Sequence, residues 1–244
     1  MTTEEVLKQC KVEDNVVKLP NVQLEPKEYA SVKKSLEKIG GKWKGGKVFG
    51  FVFTSDPTDL LSDISGGVKR NLKKEFQFFG TPVKLADYLV KLAEIKNGEI
   101  ILEPSAGQGA IIEAIYRVNK TAVVIAIELM KENSIVLTNK GFTHNIQDFL
   151  TSSLVKQNFD KIIANPPFSK NQDIDHIRKM YDCLKPGGRI VTVASKHWQE
   201  SKNKKETEFR EWLNSKGAKV QEIPSGTFKE SGTNIASVVI IINK

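Results

Sequence analysis

The chain has 244 residues, of which 39% are hydrophobic and 27% charged. This is the composition of a globular protein with room for one large domain, or for a main domain with a small companion. No apolar stretch approaches the roughly 20 residues of a membrane span, and the start lacks the features of a signal peptide. We therefore expect a cytoplasmic protein with no membrane partner. The formal charge of +8 suits a polyanionic partner, although many unrelated proteins are equally basic.

Cysteine and histidine are both scarce. Cys10 and Cys183 are too few and too isolated for a zinc site, and we expect free thiols. His144, His176 and His197 have no metal-ligand spacing either. The sequence therefore predicts no bound metal.

Residues 1–75 predict a small basic α/β unit. The predicted elements are a helix over 26–39, a hairpin of strands 42–44 and 47–53, and a short helix over 56–64. Several lysines surround Trp43, so Lys42 is a candidate phosphate contact and Trp43 a candidate stacking partner for a base. The alternative is that Trp43 and the nearby phenylalanines form the core of the unit.

Residues 76–244 alternate between strand and helix patterns. Thr81 is predicted as the N-cap and Pro82 as the first residue of the first helix. The predicted strands cover 100–102, 121–127, 142–145, 159–164, 189–194, 218–223 and 237–242, and the later helices cover 110–118, 131–140, 173–184 and 206–215. This alternation predicts an α/β fold with a doubly wound, mostly parallel sheet. Ligands of such sheets bind at the carboxyl ends of the strands.

A glycine-containing loop joins the first strand of this domain to the next helix. It holds Gly107-x-Gly109, which is half of a dinucleotide fingerprint, and Glu128 follows 19 residues after Gly109 at the end of the next strand. This is close to the usual spacing of a ribose-binding carboxylate. The combination favours a nucleoside bound across the strand ends. The alternative is a tight strand-to-helix turn and a surface glutamate.

Two further carboxylates indicate which chemical groups the ligand carries. Glu103 begins the glycine loop and would repel a pyrophosphate, so it favours a ligand with an ammonium group, such as the amino acid portion of S-adenosylmethionine. Asp148 follows the third strand and could accept a hydrogen bond from an adenine amino group, with Phe149 on the ring. The alternative for Asp148 is an N-cap or loop residue.

A fourth strand ends in Asn165-Pro166-Pro167-Phe168. Two prolines cannot continue a sheet ladder, so they form a stiff turn just past the carboxyl end of the strand. The turn presents an amide side chain, main-chain carbonyls and an aromatic face toward the ligand crevice. These groups suit an exocyclic amino group and its ring. The alternative is a loop that merely ends a strand.

The motifs together resemble the class I amino-methyltransferases that act on adenine N6 in DNA. The similarity rests on the segment 102–109, Glu128, the pair 148–149 and the segment 165–168, with Phe79-Gly-Thr-Pro82 ahead of them, which is the gamma order of that family. The segments 40–43 and 226–233 are similar to parts of stand-alone members borne by phages and plasmids. The resemblance implies a seven-stranded Rossmann-like sheet, S-adenosylmethionine as cofactor, DNA as substrate, and a place in restriction-modification or protection against it.

The resemblance also implies roles for individual residues. The implied cofactor contacts are Thr81, Glu103, Pro104, Ser105, Gly107, Gly109, Glu128, Asp148, Phe149 and Asn165; the implied catalytic residues are Asn165, Pro166, Pro167 and Phe168. The Asn165 oxygen and the Pro166 carbonyl would accept the two N–H groups of an adenine that has left the helix stack, and the methyl group would transfer by direct displacement. The candidate contacts to the base or to DNA are Phe168, Phe228, Lys42, Trp43, Lys196 and Lys202.

Other interpretations remain open. Asn-Pro-Pro-aromatic also occurs in enzymes that methylate adenine N6 or guanine N2 in RNA, or glutamine in release factors, and a non-catalytic DNA-binding protein could keep the same fold. Many gamma enzymes carry a large target-recognition domain after the sheet, whereas this sequence ends at Lys244. We therefore expect recognition by residues 1–75 or by loops such as the basic segment 195–205 around Trp198, which could also be a solvated mobile loop. A monomer or a homodimer fits equally well.

Overall fold

The structure is a computed structural model that describes residues 1–72, 80–153, 159–223 and 236–244. The chain divides into two compact units, Met1–Phe78 and Phe79–Lys244. Among the described residues, no helix is both long enough and apolar enough to cross a membrane. Phe228, the segment 226–233 and Phe79 lie outside the described residues.

The first unit combines short helices with a small antiparallel sheet. Its elements are α1 (Thr3–Lys8), β1 (Lys11–Glu13), β2 (Val16–Lys18), α2 (Pro26–Lys38), β3 (Lys42–Lys44), β4 (Gly50–Val52) and α3 (Thr58–Ser65). The strand order is β1-β2-β4-β3, and every neighbouring pair is antiparallel. The predicted hairpin is present, but its second strand begins at Gly50 rather than at residue 47. Sequence patterns over α1, β1 and β2 are weak, because these elements are too short to show a period.

The core of this unit differs from the one the sequence indicated. Phe51 and Phe53 are buried with the apolar stripe of α2, as expected from its spacing. Trp43 is instead 36% exposed and Phe49 is 68% exposed. The interpretation that Trp43 and all neighbouring phenylalanines form the core is therefore wrong for Trp43 and Phe49.

The second unit has a seven-stranded sheet flanked by helices. Its elements are α4 (Val83–Ala93), β5 (Ile100–Glu103), α5 (Ala110–Val118), β6 (Val123–Glu128), α6 (Lys131–Asn139), β7 (Asn145–Ile146), β8 (Phe159–Ala164), α7 (Gln172–Cys183), β9 (Leu184–Ser195), α8 (His197–Glu200), α9 (Lys204–Ser215), β10 (Lys219–Glu222) and β11 (Ser237–Asn243). The strand order is β10-β11-β9-β8-β5-β6-β7. β11 is antiparallel to both its neighbours, and the other pairs are parallel. This confirms the predicted doubly wound, mostly parallel fold.

Consecutive side chains of the central strands enter two separate cores. Ile101 and Ile163 pack with α4 and α5 on one face of the sheet. Leu102 and Ile162 pack with α7 and α9 on the other face. Because neighbouring side chains of a strand point to opposite faces, a strand covered on both sides is apolar at every position. This explains the continuous apolar runs that marked these strands in the sequence.

Two local predictions need correction. Pro82, not Thr81, occupies the N-cap position of α4, and the helix begins at Val83. The third strand is Asn145–Ile146 rather than 142–145. Phe142 is drawn away from it because its ring packs against that of Tyr116, with 5.9 Å between the ring centroids.

The topology brings the chemistry-bearing residues to one edge. Strands β8, β5, β6 and β7 are consecutive in the sheet and parallel to one another. Their carboxyl ends lead into Asn165, Glu103, Glu128 and Asp148, respectively. The fold therefore places the amide and the three carboxylates along the edge where ligands of open α/β sheets bind.

Candidate active site

The loop between β5 and α5 depends on its glycines. Gly107 and Gly109 have φ angles of +54° and +84°, a region that other residues rarely occupy. Gly109 is the N-cap of α5, and a Cβ atom there would lie 2.9 Å from Cδ2 of Leu137 and 3.0 Å from the ring of Phe142. The glycine therefore allows both the turn and the close packing of α5 against its neighbours.

Glu128 ties the end of β6 to this loop. One carboxylate oxygen accepts a hydrogen bond from the Gly107 amide at 2.6 Å, and the other accepts one from the Met130 amide at 2.6 Å. Burial raises the pKa of Glu128, and these backbone amides act in the opposite direction. The carboxylate is thus held in a fixed position at the strand end. Its predicted contact with a ribose stays a prediction.

Glu103 is the least satisfied charged group of the site. It is 1% exposed, and its Oε2 atom has no hydrogen-bond partner among the described residues. Burial first, and then the charge of Glu128, raise the pKa of Glu103 well above its usual value. A cationic ligand would relieve both effects. The buried carboxylate of Glu103 is therefore an acceptor that fits the ammonium group of S-adenosylmethionine, which donates N–H groups.

The Glu103→Gln variant tests the buried environment of Glu103 through the pH dependence of protein stability. A carboxyl whose pKa is raised on folding stays protonated where the unfolded chain has lost its proton, so its contribution to stability is present below pH 4.5 and is lost as the pH rises toward the folded pKa. We expect Glu103→Gln to make the free energy of unfolding fall less steeply as the pH rises above 4.5, by up to about 1.4 kcal/mol per pH unit. The measurement is thermal unfolding of the cofactor-free protein across that range.

The exposed residue Glu211 on α9 offers a matched control. Glu211→Gln makes the same chemical change in solvent and should leave the pH profile as in the wild type. The Glu103 variant should also bind S-adenosylmethionine more weakly. A pH profile for Glu103→Gln that runs parallel to the wild type would contradict this account of the buried carboxyl.

The segment after β7 agrees only in part with its prediction. Asp148 is half-buried, and its Oδ1 atom accepts a hydrogen bond from the Leu150 amide at 2.8 Å. Phe149 is only 2% exposed and lies in the core under α7. It therefore supports the loop from below, and its predicted contact with a cofactor ring stays a prediction.

His176 lies beside this site without any signal in the sequence. Its ring centroid is 5.4 Å from that of Phe149, and its Nδ1 atom is 3.5 Å from the hydroxyl of Ser105 in the glycine loop. Burial lowers the pKa of His176 to about 4, so the ring is neutral at pH 7. Since Ser105 and His176 are far apart in the chain, only the fold brings them together.

The Asn165 amide is held from one side. Its Nδ2 atom donates a hydrogen bond to the Thr81 hydroxyl at 3.1 Å, which leaves the Oδ1 atom buried and with no partner among the described residues. Pro166 is buried, and Pro167 and Phe168 are half-buried. A buried acceptor without a donor costs free energy unless a ligand supplies one. The amide oxygen is therefore available to an N–H group of a bound molecule.

The basic segment 195–205 has fewer side chains available for contact with DNA than the sequence indicated. Lys196 pairs with Glu222, and Trp198 is only 5% exposed. Lys204 and Lys205 also pair with carboxylates, whereas Lys202 is exposed and makes no ion pair with a described residue. Lys196 thus shares its charge with a surface carboxylate and stays only a predicted DNA contact, whereas Trp198 belongs to the core.

Solved structures of methyltransferases have a similar fold. They include a methyltransferase subunit of a type I restriction-modification system from Streptococcus thermophilus (20% identity, TM-score 0.58, 89% of this chain and 53% of that chain). A putative class I S-adenosylmethionine-dependent methyltransferase from Listeria monocytogenes matches with 14% identity and a TM-score of 0.53, over 99% of this chain and 78% of that chain. A putative RNA methyltransferase from Pyrococcus horikoshii matches with 18% identity and a TM-score of 0.51, over 69% and 87%. At these identities the similarity establishes the fold, and this chain spans about half the length of the Streptococcus subunit.

The sequence itself also matches a protein family. No curated protein sequence matches the chain. The model of the methyltransferase small domain matches residues 96–219, which is just over half of the chain and includes the glycine loop and the turn at Asn165. The chain therefore belongs to the methyltransferase small domain family, and S-adenosylmethionine is its methyl donor.

Proposed function

We propose that the protein transfers a methyl group to the N6 amino group of adenine in DNA. The observation that carries this proposal is the Asn165 amide, whose nitrogen is hydrogen-bonded to Thr81 and whose buried oxygen lacks a donor among the described residues. An exocyclic amino group has two N–H bonds and a ring that can stack. The amide, the Pro166 carbonyl and the Phe168 ring are suited to these three features.

The residues of the other strand ends would hold the cofactor. Glu103 would face the ammonium group, Glu128 the ribose hydroxyls, and Asp148 the adenine amino group of the cofactor. When bound, S-adenosylmethionine supplies a methyl group on a positively charged sulfur. Because the hydrogen bond from the Gly107 amide to Glu128 already fixes the glycine loop, the loop needs little further ordering when the cofactor binds.

The chemistry at the target base then depends on orientation. The lone pair of the adenine amino group is delocalised into the ring, so the nitrogen is a poor nucleophile. Hydrogen bonds from its two N–H groups to the Asn165 oxygen and the Pro166 carbonyl would favour a tetrahedral nitrogen and direct its lone pair at the methyl group. The nitrogen–methyl bond would form as the sulfur–methyl bond breaks, the neutral thioether would leave, and the nitrogen would lose one proton to solvent. This is catalysis by positioning and by electrostatic stabilisation. Pro167 stiffens the turn, and Phe168 would hold the extruded base.

Thr81 is a positioning residue in this mechanism, whereas the sequence marked it as a cofactor contact. Thr81→Val removes the hydroxyl that fixes the Asn165 amide but keeps the volume. We expect kcat to fall about 10-fold, as for loss of one hydrogen bond worth about 1.4 kcal/mol, with little change in the affinity for S-adenosylmethionine. The measurement is steady-state methyl transfer together with calorimetric titration of the cofactor.

The conservative variant provides the control for this prediction. Thr81→Ser keeps the hydroxyl and should retain most of kcat. A merely structural role would lower the melting temperature of the valine variant and leave its kcat unchanged. A fall in cofactor affinity with unchanged kcat would instead support the original assignment of Thr81 as a cofactor contact.

Two features support nucleic acid, and DNA in particular, as the substrate. The chain is basic, with a net charge of +8, as suits a polyanionic substrate. One structural neighbour is the methyltransferase subunit of a type I restriction-modification system, and its match extends over 89% of this chain. Residues 1–75 would then contribute to DNA recognition through Lys42 and Trp43, with Lys202 as a further contact. The putative RNA methyltransferase among the neighbours makes an RNA amino group the second candidate.

The test is a labelled transfer assay. Purified protein and radiolabelled S-adenosylmethionine are incubated with unmethylated duplex DNA, the same DNA as single strands, and bulk RNA. We expect label in DNA. Label confined to RNA would move the substrate to RNA and contradict the DNA assignment. Binding of the cofactor with no label in any nucleic acid would contradict the proposal as a whole.

A further inference from the structure

The turn between β3 and β4 exposes an aromatic side chain on an unusual backbone. Phe49 has a φ of +40°, a conformation that is rare for a bulky residue, and it is 68% exposed. The next residue, Gly50, is buried, and a Cβ atom there would lie 2.7 Å from Cγ1 of Val16. The backbone is therefore tightly fixed on one side of Phe49, and the ring points outward. Such an outlier calls for a functional explanation.

A row of rings connects Phe49 to the core of its unit. The ring of Trp43 lies 5.2 Å from that of Phe49 and 5.1 Å from that of Phe51, in edge-on contact with both. Exposure falls along this row from 68% at Phe49 to 36% at Trp43 and zero at Phe51. The exposed ring is therefore supported by packing. A supported aromatic face loses little entropy when a ligand stacks on it.

Positive charge surrounds the two exposed rings. Lys42, Lys44 and Lys47 are exposed, and none of them makes an ion pair with a described residue. The stretch from Lys38 to Ser55 contains no aspartate or glutamate. We call Lys42, Trp43, Lys44, Lys47 and Phe49 the hairpin surface.

We propose that the hairpin surface binds a nucleic acid strand, with the Phe49 ring stacked on an unpaired base and the lysines on neighbouring phosphates. Aromatic rings interleaved with amines are what single strands require. An acidic protein would complement the lysines but needs no flat ring. Membrane binding grows with the buried apolar area, and two rings offer little of it. The inference rests on the proposed function for the identity of the strand as DNA.

The test uses the full-length protein and a fluorescein-labelled 20-nucleotide strand, measured by anisotropy at several salt concentrations. Phe49→Gly removes the ring and also suits the positive φ, so we expect the melting temperature to hold or rise while single-strand affinity falls about 5- to 150-fold, as for loss of one stacked base. Phe49→Tyr keeps a ring and should retain the affinity. Wild-type affinity of the glycine variant for the strand would overturn the proposal.

The lysines are tested separately with a charge-matched control. Replacing Lys42, Lys44 and Lys47 together with glutamine should reduce the salt slope of single-strand binding by about 2, at about 0.7 per phosphate contact. The same change at Lys8, Lys11 and Lys27 is the control, because Lys11 is on β1, at the opposite edge of the four-stranded sheet from β3. Equal effects of the two triple variants would overturn the assignment of this surface.

Further outcomes separate this inference from the proposed function. Anionic vesicles serve as a second probe, and Phe49-dependent binding to vesicles with unchanged strand affinity would overturn the inference in favour of a lipid surface. If the wild type methylates DNA but Phe49 does not matter for strand binding, the hairpin surface is refuted and the proposed function stands. If strand binding depends on Phe49 but no DNA is methylated, the inference holds and the proposed function fails.

Discussion

Asn165→Ala is expected to lower kcat for methyl transfer about 100- to 1,000-fold or more, the range seen when one preorganised hydrogen-bonding group is removed from an active site. The reason is that the Asn165 oxygen is the buried acceptor that the target amino group would satisfy. The affinity for S-adenosylmethionine should change much less. Rapid-quench transfer and calorimetric titration of the cofactor measure the two effects separately.

Asn214 provides the matched control for this variant. It is exposed on α9, and Asn214→Ala makes the same chemical change away from the strand ends. That variant should transfer methyl groups at the wild-type rate. Near-normal transfer by Asn165→Ala would refute the mechanism, and a parallel loss of cofactor binding would make Asn165 chiefly a cofactor contact.

Gly109→Ala is expected to have the largest effect on stability and cofactor binding. The new Cβ atom would meet Leu137 at 2.9 Å and the Phe142 ring at 3.0 Å, on a backbone with a φ of +84°. The strained φ costs about 1–3 kcal/mol and the overpacking about 1–3 kcal/mol more. At about 2–4 °C per kcal/mol for a chain of this size, the melting temperature should fall clearly. Affinity for S-adenosylmethionine should fall with it, because Gly109 starts α5 directly after the loop.

Gly98→Ala separates the cost of the strained backbone from the cost of the side-chain clash. Gly98 has a φ of +82°, almost the same as Gly109, but a Cβ atom there would have no heavy atom within 4 Å. This control should therefore show the cost of the backbone alone and leave cofactor affinity intact. Equal losses of stability in the two variants would contradict the packing role assigned to Gly109.

Much of the site was predictable because its residues follow strands. Apolar runs marked the strands, and the carboxyl ends of parallel strands meet at one edge, so Glu103, Glu128, Asp148 and Asn165 could be grouped from sequence alone. What was not predictable depends on packing between distant segments. The hydrogen bond from Asn165 to Thr81 joins side chains 84 residues apart, and no local pattern encodes it.

Three side chains have surroundings that the local sequence did not indicate. Phe149 was assigned to a ligand because it follows Asp148, but α7 covers it. Lys196 was assigned to DNA from local charge, and it also pairs with Glu222. Phe49 was assigned to a core because it is aromatic, yet its ring is exposed. For Phe149 and Lys196 the burial or pairing is decided by residues that are distant in the chain, whereas the exposure of Phe49 follows from its unusual backbone conformation.

The identity of the methylated nucleoside decides whether adenine N6 in DNA is the target. DNA from a host without adenine methylation is treated with purified protein and S-adenosylmethionine, digested to nucleosides and analysed by mass spectrometry, with Asn165→Ala in parallel. We expect N6-methyladenine with the wild type and, in the same short incubation, about 100-fold less of it or lower with the variant. Methylcytosine alone, or N6-methyladenine formed equally well by the variant, would contradict this expectation.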